Sequence, residues 1–188
     1  AFYPVLGHWI GLRTAGRNPV LDGLSVQPEE DDLKALGAAM ASSGSVALFH
    51  WVGHTPEAPD IATAFQGTEP VERFSVELAD LRQARDDLGS GLFESDGLDL
   101  VVLGSPHFSL SEFKALAALV QGRERSPAVR MLITTSRGVR MLAHEAGYLG
   151  IVKAFGAELT VDTCILTTPM LPDDIRRLMT NSAKYAYY

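Results

Sequence analysis

The side chains best suited to chemistry in this sequence fall into a few short clusters. Gly104-Ser105-Pro106-His107-Phe108-Ser109-Leu110-Ser111-Glu112 follows an apolar run. Ser109 with Glu112 three residues on is a capping-box pattern that starts a helix. Ser105 and His107 then lie in a tight turn beside unpaired helix-terminal N–H groups, a natural place for an anion. His107 either serves such a site or simply hydrogen-bonds its own loop. Thr134-Thr135-Ser136 puts three hydroxyls ahead of another helix, with Ser136 in the position of an N-cap. Asp162-Thr163-Cys164 ends a further apolar run. A lone cysteine in a strand is commonly a small core residue, but the polar pair before it points towards a site. Thr180-Asn181-Ser182-Ala183-Lys184-Tyr185-Ala186-Tyr187-Tyr188 gathers amide, hydroxyl, ammonium and phenol groups. Its three tyrosines are expected to be buried or to line a site. His50 and His54 would share a helix face, but their stretch reads as strand then turn, so a zinc reading of the pair is weak.

These clusters need a frame. Apolar, often β-branched runs at Val46–Val52, Phe74–Leu78, Leu98–Leu103, Val129–Thr135 and Leu159–Ile165 read as strands. Several are apolar almost throughout, as strands covered on both faces are. Helical periodicity marks Pro4–Ala15, Asp60–Phe65, Ala79–Leu88, Ser109–Val120 and Arg137–Phe155, the last broken near Gly147 and Gly150. A further helix, whose N-terminus carries the acids Glu29, Glu30, Asp31 and Asp32 after Pro28, is expected to run through Leu33, Leu36, Ala39 and Met40 to Gly44. Asn18-Pro19-Val20 breaks to a loop or short strand, Gly89–Gly97 reads as an exposed loop, and a final helix is expected over Asp173–Met179. Strands alternating with helices build right-handed βαβ units. The expectation is therefore an α/β fold over residues 1–188 as a single domain: three layers (αβα) around a mostly parallel sheet of about five strands. In such a sheet ligands bind outside the carboxyl ends of the strands, where the clusters above fall.

Composition narrows the function classes. Sixteen basic against 23 acidic residues give a net charge of −7, which argues against a nucleic-acid surface. No apolar run is long enough to span a bilayer, and the start lacks a signal-peptide pattern. One cysteine forbids an intrachain disulfide and suits a reducing, cytoplasmic setting. By itself it cannot hold an iron–sulfur cluster or a structural zinc. No GxGxxG, GxxxxGK[ST] or GxSxG string is present, which disfavours dinucleotide, phosphate-loop and serine-hydrolase chemistry.

Six ordered strings carry a resemblance along the whole chain: Phe2-Tyr3-Pro4-Val5-Leu6-Gly7, Leu33-Lys34-Ala35-Leu36-Gly37-Ala38-Ala39, Val52-Gly53-His54-Thr55-Pro56-Glu57-Ala58, Gly104-Ser105-Pro106-His107, Val161-Asp162-Thr163-Cys164 and Thr180-Asn181-Ser182-Ala183-Lys184-Tyr185. Together they resemble the aconitase X family, whose members are hydro-lyases such as cis-3-hydroxy-L-proline dehydratase and phosphomevalonate dehydratase. The resemblance covers a middle-to-late portion of such a protein. It implies a small carboxylate substrate, an iron–sulfur (or iron) centre with Cys164 as one ligand and other cysteines outside this chain, and the remaining domains or subunit of the enzyme as partners. Where some relatives have cysteine this chain has Ser105, and where relatives often have His it has Tyr187. Dehydration needs a proton acceptor and an acid or Lewis acid for the departing hydroxyl. Within that chemistry His107 and Lys184 are the expected catalytic groups, His107 orienting or handling a proton and Lys184 contacting a substrate carboxylate or phosphate. Ser105, Thr135, Ser136, Asn181 and Ser182 are expected to bind substrate. Hydroxyproline is the favoured substrate. Mevalonate 5-phosphate is the alternative, and a non-catalytic ligand-binding or assembly module is the reading outside enzymology.

Overall fold

The computed structural model describes residues 1–89 and 97–188. Most of the expected loop Gly89–Gly97 lies outside the described residues. Two compact units emerge, Ala1–Gly91 (with Tyr187) and Leu92–Ala186 (with Tyr188), where one domain over 1–188 was expected. Each has its own apolar core, the first around Leu6, Leu36, Met40 and Trp51 and the second around Phe113, Ile133 and Val152.

In the first unit, α1 (Phe2–Thr14) packs along α2 (Glu30–Gly44). Their closeness depends on small residues: a Cβ added at Gly7 would collide with the Leu36 carbonyl, and one at Gly44 with the backbone of Gly11. Glu29 and Asp32 form a capping box, and Glu30, Asp31 and Asp32 place negative charge over the helix N-terminus. Two short strands, β1 (Val20–Leu21) and β2 (His50–Trp51), pair in parallel. Helix α3 (Ile61–Phe65) is capped by Asp60, and α4 (Leu78–Leu88) follows.

Two strand expectations shrink in this unit. Of Val46–Val52 only His50 and Trp51 pair, with Leu48 49% exposed. Phe74–Leu78 forms no strand. Glu77 and Asp80 box the start of α4, which makes Leu78 helical, and Phe74 meets no partner strand. A β-branched run becomes a strand only where a neighbour completes its hydrogen bonds.

The second unit is an all-parallel four-stranded sheet in the order β5–β4–β3–β6, formed by β3 (Leu100–Phe108), β4 (Arg130–Thr135), β5 (Glu158–Val161) and β6 (Leu178–Thr180). Helices α5 (Leu110–Val120), α6 (Arg137–Glu145) and α7 (Tyr148–Ala154) connect the strands, with the expected break at Gly147. The parallel α/β class is as expected; the strands divide four and two between the units. The expected helix over Asp173–Met179 is absent. The Asp99 carboxylate instead accepts the Arg176 and Arg177 N–H groups at 2.8 Å each, and Leu178–Thr180 then pairs with Leu100–Val102. Helix α8 (Ala183–Tyr187) ends the chain. Among the described residues no helix is long and apolar enough to cross a membrane.

Candidate active site

The carboxyl end of β3 is built around an irregularity. Between the pairs Leu103–Ile133 and Phe108–Thr135, β3 advances five residues while β4 advances two, so Gly104 to His107 bulge out of the ladder. Gly104 is required there. Its φ is +97°, and a Cβ would collide with the Thr134 carbonyl oxygen. Two threonines of β4 secure the bulge: Thr134 Oγ1 donates to the Gly104 carbonyl, and Thr135 Oγ1 donates to the Phe108 carbonyl at 2.7 Å. Both threonines are buried.

Beneath the bulge lies a hydroxyl cluster. Ser182, the N-cap of α8, accepts the Tyr185 N–H at 3.1 Å and donates its own hydrogen to the Ser105 carbonyl. The Tyr185 hydroxyl sits 3.3 Å from Thr134 Oγ1, and the Ser105 and Cys164 side chains lie close enough to act on it electrostatically. Counting protons fixes one direction. Thr134 has a single hydroxyl hydrogen, given to Gly104, so at Tyr185 it accepts and the phenol donates. Burial pushes the Tyr185 hydroxyl upward from the ordinary phenol range, so it stays protonated at neutral pH. Cys164 is half-buried against Leu100, Val102 and Ile165.

His107 stands on the exposed rim, its Nε2 3.1 Å from the Thr163 carbonyl. A carbonyl only accepts, so Nε2 carries the hydrogen in that contact. Nearby, Asp162 adopts φ +54° and receives both the backbone N–H of Arg137, at 3.0 Å, and its guanidinium Nε. Arg137, with a smaller contribution from His107, holds the Asp162 carboxyl below its usual range.

The fold thus gathers Ser105, Ser182 and Cys164 around Tyr185, with His107 joined to the residue preceding Cys164. The other expected site residues stand differently. The Thr135 hydroxyl is committed to Phe108, and Ser136 caps α6 by accepting Val139 N–H at 3.1 Å. Asn181 is exposed, and Lys184 is half-buried on α8. Of the three terminal tyrosines only Tyr185 is buried; Tyr187 and Tyr188 are 43% and 70% exposed. Sequence reasoning missed Tyr185 and Thr134 as centres of the cluster, and the Arg137–Asp162 pair. The spacing Ser182-x-x-Tyr185, a cap followed by an aromatic at N3, was the available signal for Tyr185.

An iron or iron–sulfur centre needs several protein donors. The chain has one cysteine, and among the described residues no group of three or more His, Cys, Asp or Glu could hold a metal ion. The described residues do not complete such a centre, although Cys164 can offer one thiolate.

Comparison with known proteins gives a consistent answer. Residues 1–86 match the family description "Aconitase X second domain", and residues 98–188 match "Aconitase X third domain". A cis-3-hydroxy-L-proline dehydratase of Pseudomonas aeruginosa is 51% identical over all of this chain, which spans 33% of that protein. A phosphomevalonate dehydratase large subunit of Thermococcus kodakarensis is 36% identical over all of the chain, which spans 46% of it. A crystal structure of Thermococcus kodakaraensis aconitase X in its holo form superposes with a TM-score of 0.83 at 33% identity, covering 98% of this chain and 45% of that one. With both units matched by successive domains of one family, the chain belongs to the aconitase X family.

Proposed function

We propose that this chain is part of a hydro-lyase that removes water from a small hydroxy acid, with cis-3-hydroxy-L-proline as substrate. The observation that carries the reading is the 51% identity along the whole chain to a protein of that name, against 36% to a phosphomevalonate dehydratase large subunit. The site chemistry agrees with it. Elimination of water needs a group to move a proton and cationic or hydroxyl partners for the substrate carboxylate. His107, exposed and oriented through Thr163, is the proton-handling group. Lys184 contacts the carboxylate. Ser105 and Asn181 supply hydrogen bonds, whereas Ser182, whose one hydroxyl hydrogen goes to the Ser105 carbonyl, contributes with Thr135 and Ser136 by fixing the bulge and the starts of α8 and α6. Cys164 provides one thiolate to an iron–sulfur (or iron) centre whose other ligands belong to the remaining domains or subunit.

The test is an assay of the whole enzyme carrying this chain, offered cis-3-hydroxy-L-proline and mevalonate 5-phosphate in parallel and read as loss of one water by mass spectrometry. Dehydration of the hydroxyproline is expected, with His107→Ala lowering kcat and Lys184→Ala chiefly raising KM. Turnover of the phosphate ester alone would overturn the substrate, and full activity of His107→Ala would overturn its role.

A further inference from the structure

Strands β1 and β2 form a parallel sheet of only two strands, an arrangement seldom stable by itself, since parallel sheets are ordinarily larger and covered on both faces. Its two outer edges differ. On β2, the outward groups of Trp51 are used by the following turn: its N–H takes Thr55 Oγ1 at 2.9 Å, and its carbonyl accepts from His54 and Thr55 N–H at 2.9 Å each. On β1 the ladder bonds run from His50 N–H to the Pro19 carbonyl and from Val52 N–H to the Leu21 carbonyl, both 3.0 Å. Backbone groups alternate in direction along a strand, so Val20 points its N–H and C=O away from β2. Among the described residues no third strand takes them up.

That open edge borders a cleft of about 640 Å³ within the first unit. Its lining includes Trp9, Ile10 and Leu24, together with Val71 and Phe74, which are 88% and 46% exposed. An unpaired strand edge beside apolar side chains is the geometry that accepts an added strand: main-chain hydrogen bonds supply affinity, and alternate side chains fill the cleft.

We propose that the free edge of β1 receives one extended segment from the part of the aconitase X polypeptide lying outside this chain, which adds as a third strand. The chain spans between a third and a half of the relatives it matches, so ample polypeptide exists to provide it. One face of that segment carries apolar side chains over Trp9, Ile10 and Leu24, while Val71 and Phe74 close on the other. The inference does not draw on the dehydratase reading.

Amide hydrogen exchange at Val20, measured in the 188-residue chain alone and in the whole enzyme that carries it, tests the proposal. The Val20 N–H should exchange at least about tenfold more slowly in the whole enzyme. The Leu21 amide, which already faces β2, is the internal control and should change little. Val20→Pro deletes the outward donor while sparing the β1–β2 bonds. It should weaken capture of the remaining domains supplied in trans by about tenfold. Should that variant fail to fold, Val71→Asp with Phe74→Asp perturbs the same cleft without touching β1 and should weaken capture likewise. Equal Val20 exchange in both samples overturns the proposal. So does protection that appears in the isolated chain with rising concentration, because the occupant would then be a second copy.

Discussion

Replacing Thr134 with valine tests whether the bulge at the end of β3 is held by its side-chain hydroxyl. The substitution keeps the shape and deletes one donor and one acceptor in a site that is 1% exposed. The Gly104 carbonyl, itself buried, loses its donor, at a cost of about 1–3 kcal/mol for an unsatisfied buried acceptor. The Tyr185 hydroxyl loses a long contact of 3.3 Å, so the added penalty is smaller, about 0.5 kcal/mol. Together these predict destabilisation of the second unit by about 2–3 kcal/mol, or roughly 10 °C in Tm for a unit of this size. Thr134→Ser retains the hydroxyl and should cost only about 1 kcal/mol through the lost methyl. Urea unfolding followed by circular dichroism reads both. A cycle with Tyr185→Phe should give a coupling of about 1 kcal/mol, because the pair shares one hydrogen bond. A valine variant within about 0.5 kcal/mol of the parent, on the scale of ordinary neutral changes, would refute the proton assignment.

Other outcomes follow from the same geometry. Gly104→Ala forces a side chain into the Thr134 carbonyl at positive φ and should destabilise by at least about 2 kcal/mol, measured as a lowered urea midpoint. Ser182→Ala removes both the cap of α8 and the bond to the Ser105 carbonyl and should cost about 1–2 kcal/mol by the same measurement. His8 is 4% exposed with an unpartnered Nδ1, and burial lowers its pKa, with Asp87 opposing more weakly. Below about pH 6.5 the unfolded chain then binds a proton that the folded chain does not, so stability should fall as pH drops from there; His8→Leu should flatten that slope. Asp99 is held low by the Arg176 and Arg177 N–H groups, so its contribution is present above about pH 4 and should fade as acid protonates it. Asp99→Asn should blunt that acid limb in a pH series of unfolding midpoints.

Much of the second unit could be read from the sequence because local and tertiary preferences agree there. Leu98–Leu103, Val129–Thr135 and Leu159–Ile165 are apolar enough to be buried on both faces, and each contains or overlaps a strand of the sheet. Ser109 and Ser136 announce α5 and α6 by the caps they form. Leu178–Thr180 resisted the same reading because it is short and follows acids that suit a helix start. Only the distant carboxylate of Asp99 and the free edge of β3 make it a strand. The site was legible as a set of loops but not as a set of contacts. Ser105 and Cys164 carry chemistry in their residue types, whereas Tyr185 joins them only through a hydroxyl delivered by a helix some twenty residues further on. For Thr135 nothing local shows that its hydroxyl is already engaged, whereas Ser136 is legible as the cap it forms.

The strand order has a consequence for synthesis. Because β6 is the last strand made yet lies beside β3, the first strand of its sheet, the growing chain must carry β3 with one flank open until residue 180 has left the ribosome. Through that interval Leu100 and Val102, which become fully covered in the finished sheet, are exposed to other nascent chains. The first unit has no such dependence on late residues for its helical pair. A pause or truncation before Leu178 should therefore leave an assembled amino-terminal half joined to an adhesive, unfinished carboxyl-terminal one.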